Sequence, residues 1–229
     1  MADKIDSSNR PPHNAPVLVI GLGRFGAATA HQLVKQGREV LAIERDPALV
    51  QKWAGVLTHV VEADATNIDA LRQLGAQDFS SAVVGVGTSI ESSVLITVNL
   101  VDLGIAHLWV KAITQSHGKI LTRIGANHVI YPEADAGVRA AHLVGGRMLD
   151  FIEFDDDFAI VKMYPPKPIR GVSLADSSVR RKYGITVVGI KSPGKEFTYA
   201  TPESVISNHD LIIVSGNSAD IEKFASLQS

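Results

Sequence analysis

The sequence has no cysteine. Disulfides and thiolate metal sites are thereby excluded, while the redox compartment stays open. It also lacks a strong charge of either sign. Its 22 Lys and Arg stand against 24 Asp and Glu, for a formal net charge of -2 at pH 7. No broad basic field exists to draw nucleic acid or an acidic lipid surface, so nucleic acid is not an expected partner. Residues 1–16 lack the apolar core of a signal peptide and read as a disordered N-terminal tail. The most apolar long stretch, Ser93 to Val110, carries Asn99, Asp102 and His107 and has the texture of a helix and then a strand, not of a membrane span. Internal repeats and low-complexity segments are absent. The eight histidines show no spacing that suggests a metal site or a catalytic triad, and His209 reads as a solvated turn residue. Asp155-Asp156-Asp157 reads as a solvated turn in preference to a hard-cation site. The expectation is a soluble, cytoplasmic chain that is not an enzyme.

Its 229 residues suffice for one or two domains with ample core. They are organised around Val17-Leu-Val-Ile-Gly-Leu-Gly-Arg-Phe-Gly26. Val17 to Ile20 is a short apolar run of the kind that forms a buried parallel strand. Gly21, Gly23 and Gly26 follow as G-x-G-x-x-G, and the pattern predicts a helix from about Phe25 to Gln36 with Gly37 as its stop. In this motif the first glycine permits a tight turn, the second lets the backbone approach a pyrophosphate, and the third lets helix pack on strand. The helix N-terminus then turns free N–H groups towards the phosphates. Arg24 sits where the helix dipole disfavours a cation, a conflict that a bound anion removes.

The alternation of strand and helix continues. Strands are expected over 39–44, 58–62, 81–86, 108–112 and 128–131. Asp46-Pro47 opens one helix; Thr66-Asn67-Ile68-Asp69 and Thr88-Ser89-Ile90-Glu91 resemble capping boxes that open two more. Ser116 to Ile124 supplies another. Short connections throughout argue for an α/β fold, a Rossmann-like doubly wound parallel sheet over residues 17–132. Residues 133–150 read as one linking helix interrupted at Gly145-Gly146, and 151–229 as a smaller α+β domain. That domain is expected to contain a strand-turn-strand to Tyr164, a proline linker, a helix from Ser173 to Tyr183, a hairpin turning at 192–195, and a final strand and helix.

Glu44 closes the second strand where a carboxylate can accept ribose hydroxyls, and its charge disfavours a 2′-phosphate. Arg45 beside it joins the candidate set. Asp64-Ala65-Thr66 follows the third strand on the edge that lines an adenine and ribose crevice, although a turn at Asp64 and a helix cap at Thr66 account for them equally well. Gly87-Thr88 offers backbone N–H groups to phosphates, and Thr88 is also placed to cap the next helix. Lys111 interrupts an apolar strand. Such a lysine is costly unless it meets a carboxylate or a phosphate, and the pattern does not choose between them. A nucleotide site without a visible proton donor or acceptor favours a sensor over a catalyst. An NAD(H)-binding oxidoreductase or redox sensor is the alternative, and an interaction scaffold the third reading.

Ile20-Gly-Leu-Gly-Arg-Phe-Gly26, Trp109-Val-Lys-Ala112, Pro132-Glu133 and Val179-Arg-Arg-Lys-Tyr-Gly184, occurring in that order, resemble the RCK (regulator of K+ conductance) family. The likeness is to its Ktr/Trk-type cytosolic regulatory subunits of bacterial potassium uptake, and it runs from about Val17 to the C-terminus. The resemblance implies an RCK_N (TrkA-N) domain and an RCK_C (TrkA-C) domain. It implies homodimers assembling into an octameric ring under a membrane-embedded Ktr/Trk potassium-translocating subunit, hence a cytoplasmic location peripheral to the inner face of the cell membrane. ATP would favour the active ring and ADP the inactive one. Gly21, Gly23, Arg24, Phe25 and Gly26 would belong to the nucleotide set, with Arg24 reaching the γ-phosphate across the dimer. Glu44 would hold the ribose, Lys111 would stand near the phosphates, and Glu133 would coordinate Mg²⁺, Ca²⁺ or Na⁺. The family usually has aspartate where Glu44 stands, and the extra methylene bears on selectivity between ATP/ADP and NAD(H). The second domain of the family often binds cyclic di-AMP. Here Arg180 would meet a phosphate while Leu174, Ala175 and Pro202 pack on adenine, with Asp176 in the same set. Ala175 and Ser177-Ser178 depart from the family pattern, and pairing of Arg180 with Asp176 at i,i+4 is the structural alternative.

Overall fold

Short apolar runs separated by capped helices give six parallel strands joined by helical crossovers. The structure, a computed structural model, describes residues 14–154 and 157–227. The expected tail therefore lies outside the described residues up to residue 13, as do Asp155 and Asp156 of the acidic run. Ala15 is tied down, because the Arg38 guanidinium donates from Nε and Nη2 to its carbonyl at 3.1 and 2.6 Å.

The first unit runs to Glu133. Its strands are β1 (Val17–Ile20), β2 (Val40–Glu44), β3 (His59–Glu62), β4 (Ser81–Val84), β5 (His107–Lys111) and β6 (His128–Ile130). They pair in the order β3-β2-β1-β4-β5-β6, every neighbour parallel. The crossovers contain α1 (Arg24–Lys35), α2 (Pro47–Trp53), α3 (Ile68–Gln73), α4 (Ile90–Asp102) and α5 (Gln115–Arg123). All four β1 residues are buried, as a central strand covered on both faces requires. Leu18, Ile20, Val84, Leu100, Leu108 and Leu121 fill one face of the sheet. Val17, Val19, Ala27, Ala30 and Val40 fill the other.

Two helix starts differ from expectation. Asn67, not Thr66, caps α3, its side chain accepting from the N–H groups of Asp69 and Ala70. Ser89, not Thr88, caps α4 by accepting from Ser92 N–H. In each case the residue one place later has the extended backbone and short oxygen-bearing side chain that an N-cap needs.

The second unit begins at Ala134. The helix expected over 133–150 is α6 (Pro132–Val144), and it stops there because Gly145 and Gly146 follow, Gly146 at φ 67°. Met148 to Asp150 belong instead to a strand, β7 (Met148–Glu153). It joins β8 (Phe158–Met163), β9 (Thr186–Lys191), β10 (Phe197–Tyr199) and β11 (Leu211–Asn217) in an antiparallel sheet ordered β10-β9-β11-β8-β7. The helix expected over 173–183 is two short ones, α7 (Leu174–Ser177) and α8 (Val179–Tyr183), because Ser178 takes φ 50° in the left-handed region between them. The last helix, α9 (Ser218–Ser226), sets Ile221, Phe224 and Ala225 into the core of this unit. Among the described residues no helix is long and apolar enough to cross a membrane.

Leu108 is fully buried in the first unit. Its replacement by alanine should lower stability by about 2–5 kcal/mol, the range for core leucines, measured as a shift in urea midpoint at unchanged slope. A loss below 1 kcal/mol, by the same scale, would mean that the site collapses around the deletion.

Candidate functional site

The sheet order reverses between β1 and β4, so the crossovers leave a crevice at the C-terminal ends of those strands. A cleft of about 280 Å³ lies there, lined by the Gly21 turn, the ends of β2 and β3, Gly85 to Thr88, and the first turns of α4. Its floor is a close approach of backbone to backbone. A Cβ on Gly26 would stand 1.9 Å from the Gly21 carbonyl oxygen, and one on Gly85 would stand 3.0 Å from the Gly26 Cα. Gly21 takes φ 87°. Gly23 is different: a Cβ there would meet nothing within 4 Å. Protein packing therefore explains Gly21, Gly26 and Gly85, while the room beside Gly23 is open to a ligand.

Glu44 is buried at the end of β2 and turned back on the loop. One carboxylate oxygen accepts from Leu22 N–H at 2.6 Å, and the other accepts from Arg45 and Asp46 N–H at 2.8 and 3.0 Å. The carboxylate thus clamps the glycine turn to β2. An ionised carboxylate offers about four acceptor positions, so one remains beyond these three bonds. Asp64 accepts from Thr66 N–H and hydroxyl at 2.9 and 2.8 Å. These bonds, backbone first, hold its carboxyl below the usual carboxylate range, burial opposing and the charge of Arg45 assisting. The same loop is braced from α4, where the Asn99 amide donates to the carbonyls of Ala65 and Thr66.

Beyond Gly87 lies a second charged group. Lys111 is nearly buried, and its ammonium donates to Glu133 at 2.6 Å. It also lies against the loop, since a Cβ on Gly87 would come within 3.1 Å of Lys111 Nζ. The hydrogen bond from Lys111 leads the causes that hold the Glu133 carboxyl below its usual range, and Arg24 contributes a weaker pull from its charge. Arg24 itself is the exposed first residue of α1. Phe25 is half-buried and packs on the α1 face of the sheet core.

Gly21, Gly23, Glu44, Arg45, Asp64, Ala65, Thr66, Gly87 and Thr88 thus line one cleft, with Lys111 and Glu133 adjoining its Gly87 end. Arg24, Phe25 and Gly26 are not on its wall. Sequence reasoning missed Gly85 and Asn99 as parts of the site. The signal was present in both: a glycine inside a β-branched strand and an amide inside an apolar helix.

A separate cleft of about 410 Å³ lies in the second unit. Leu174, Ala175, Arg180 and Pro202 line it, with Arg181 beside them. Its walls are fastened by backbone bonds, Ala175 N–H to the Pro202 carbonyl at 2.8 Å and Leu174 N–H to that of Ser204 at 3.0 Å. Asp176 is not on the wall. It turns to the cap of α7, its carboxylate accepting from the Ser173 hydroxyl at 2.7 Å and its N–H donating to the same oxygen at 3.1 Å. The break at Ser178 removes the continuous helix on which an Asp176–Arg180 pair would depend.

Comparison with known proteins gives a consistent result. Residues 17–132 match the TrkA-N domain model and residues 158–229 the TrkA-C domain model. Ktr system potassium uptake protein A of Bacillus subtilis (strain 168) is 37% identical over 212 residues, covering 92% of this chain and 96% of that protein. The RCK domain of GsuK superposes with a TM-score of 0.64 at 17% identity, over 96% of this chain and 49% of that one. The GsuK channel bound to NAD superposes with a TM-score of 0.54 at 20% identity, over 96% of this chain and 39% of that one. At these identities the two solved structures attest the fold, and this chain spans about half or less of their length.

Two expectations follow from the geometry. Gly26→Ala forces a Cβ into a carbonyl and should cost several kcal/mol or prevent folding, a conflict with backbone that cannot be relieved cheaply; Gly23→Ala should cost no more than about 1 kcal/mol, the difference between glycine and alanine at an N-cap. Thermal melting of the two variants side by side checks this, and equal losses would refute the packing account. Because Lys111 lowers the Glu133 carboxyl, the stability of their pair is full above the ordinary carboxylate range and is lost as pH falls through the lowered value. In Lys111→Met, carboxyl NMR should find Glu133 titrating at higher pH than in the wild type. An unchanged midpoint would assign the lowering to another group.

Proposed function

The chain belongs to the TrkA-N/TrkA-C family, and from that premise we propose that it is a cytosolic, nucleotide-sensing regulatory subunit of a Ktr/Trk-type potassium transporter. It works as a homodimer assembled into an octameric ring on the inner face of the membrane, against the potassium-translocating subunit. ATP with a divalent cation activates it and ADP inhibits it. The observation that carries this reading is the Lys111–Glu133 pair beside the Gly87 loop, with Glu133 standing in the first turn of α6.

The glycine turn and the α1 N-terminus receive the phosphates, and the remaining acceptor position of Glu44 takes a ribose hydroxyl. A triphosphate offers Lys111 an anion of higher charge than one carboxylate. Lys111 would pair with it, and Glu133 would then be the residue to hold the cation, which would neutralise charge on the phosphates. Among the described residues no cluster of three or more His, Asp or Glu forms a ready-made metal site. Mg²⁺ is commonly held by one or two carboxylates with phosphate oxygens and water completing the shell, a set to which Glu133 would contribute one carboxylate. ADP, one phosphate shorter, leaves the Lys111–Glu133 pair closed.

The energies are adequate. Moving a switch from 1:99 to 99:1 takes about 5.5 kcal/mol, roughly 0.7 kcal/mol per site over eight sites. One charge-assisted hydrogen bond contributes about 1.5–3 kcal/mol. The three carboxylates in the cleft, Glu44, Asp46 and Asp64, are each engaged by backbone N–H groups, which suits binding and not proton transfer. In the second unit, the pairing of Arg180 and Arg181 with an apolar wall of Leu174, Ala175 and Pro202 suits cyclic di-AMP. NAD(H) is the rival occupant of the first cleft, because the Glu44 acceptor serves either ribose.

Calorimetry with ATP, ADP, NAD, NADH and cyclic di-AMP, each with and without Mg²⁺, tests the proposal. ATP with Mg²⁺ should bind the first unit, and Arg24→Ala should weaken ATP at least tenfold, the lower bound for one charge-assisted bond, with ADP unchanged. Equal loss of both would remove Arg24 from the γ-phosphate. Binding of NADH with no response to ATP or ADP would replace the reading with the redox one.

A further inference from the structure

The rim of the cleft at the ends of β2 and β3 holds a group that the phosphate chemistry does not use. The two strands are in register at Glu44 and Glu62, and Ala63 N–H donates to the Glu44 carbonyl at 3.0 Å, so Arg45 and Asp64 stand at neighbouring strand ends. Both line the cleft and both are exposed. The Asp64 carboxylate is fixed by Thr66 and cannot swing away. The Arg45 backbone is fixed by Glu44. Among the described residues the Arg45 guanidinium closes no salt bridge, although its charge reaches Asp64.

An exposed arginine at this point of the cleft could serve either of two chemistries. It could receive a phosphate on the ribose, or it could lay its plane on a base. The rim decides. Glu44, Asp46 and Asp64 all line the same cleft, so three carboxylates share it with this one guanidinium. A further phosphate there meets a net negative field. A flat, uncharged purine meets none, and the apolar side chains of Leu49 and Ala65 on the same cleft supply a second surface for it. We propose that Arg45 is the base platform of the site: its guanidinium lies on the face of the purine, and Asp64 balances its charge and keeps it from acting as an anion receptor. Arg45 then determines specificity for purine over pyrimidine nucleotides. This rests on the nucleotide-sensing reading above.

The test compares full-length wild type, Arg45→Lys and Arg45→Ala by calorimetry with ATP and UTP in Mg²⁺. Wild type should prefer ATP over UTP about tenfold, and both variants should lose most of that preference through weaker ATP binding, the scale of a guanidinium–aromatic contact. Melting temperatures should stay within a degree or two of wild type, an approximate bound for an exposed side chain without a salt bridge. Arg45→Lys retaining both the affinity and the preference would overturn the platform, since charge alone would then suffice. Equal loss of ATP and UTP in Arg45→Ala would overturn it in favour of a phosphate contact. A wild type without the preference would overturn it as well. A wild type that binds neither nucleotide would instead overturn the sensing reading itself.

Discussion

Three backbone segments meet at a distance that only glycine allows, and the site depends on that meeting. The β1–α1 turn brings the Gly21 carbonyl against Gly26, and Gly85 at the end of β4 closes on both. With a methyl group at either of the last two positions, α1 would stand away from the sheet. The N-terminus of α1 would then no longer overlook the point where the strand order reverses. Glu44 completes the arrangement by holding Leu22 N–H at 2.6 Å from the neighbouring strand. The turn is thus fixed on three sides, from β1, β4 and β2, before any ligand arrives. Such preorganisation suits a cleft of short loops to binding, because little ordering is left for a ligand to impose.

The parallel sheet was legible because its strands are buried on both faces and read as short unbroken apolar runs, β1 above all. The glycine motif was legible because each glycine has a separate physical cause. Boundaries governed by competition between equivalent residues were not. Thr66-Asn67 and Thr88-Ser89 each offer two capping side chains in succession, and the sequence contains no term that ranks them. The choice follows from tertiary bonds: Thr66 gives its hydroxyl to Asp64, which leaves Asn67 to cap. Periodicity likewise carried the linking helix past Gly145-Gly146, although two glycines and a β-compatible Met-Leu-Asp-Phe-Ile run mark its end.

The second unit shows the same limit at a site. A helix drawn continuously from Ser173 to Tyr183 puts Asp176 and Arg180 on one face and pairs them. The left-handed Ser178 separates the two, Asp176 turns to the Ser173 cap, and Arg180 joins the cleft wall. One non-glycine residue at positive φ therefore decides whether the arginine is paired locally or presented to a cleft. Such a conformation is uncommon for a residue with a side chain, and no residue pattern announces it, because serine tolerates the conformation without requiring it.

Lys111 posed the question that pattern could not answer, a carboxylate or a phosphate, and the structure gives it the carboxylate of Glu133, with the two partners unequally exposed. The lysine side chain is 11% exposed and the Glu133 side chain 57%. The desolvation of the ammonium is imposed by its place on β5. The carboxylate, mostly in water, contributes what an exposed partner contributes, which is little after screening. A buried cation with a weakly held, replaceable counter-ion is poised for exchange with a stronger anion. A fully buried partner would have locked the lysine, and a fully exposed lysine would have felt no difference between partners. Glu133 is also the second residue of α6, and that helix is tied onward by Arg139 to Asp150 at 2.6 Å and by His142 to Glu222 at 2.8 Å.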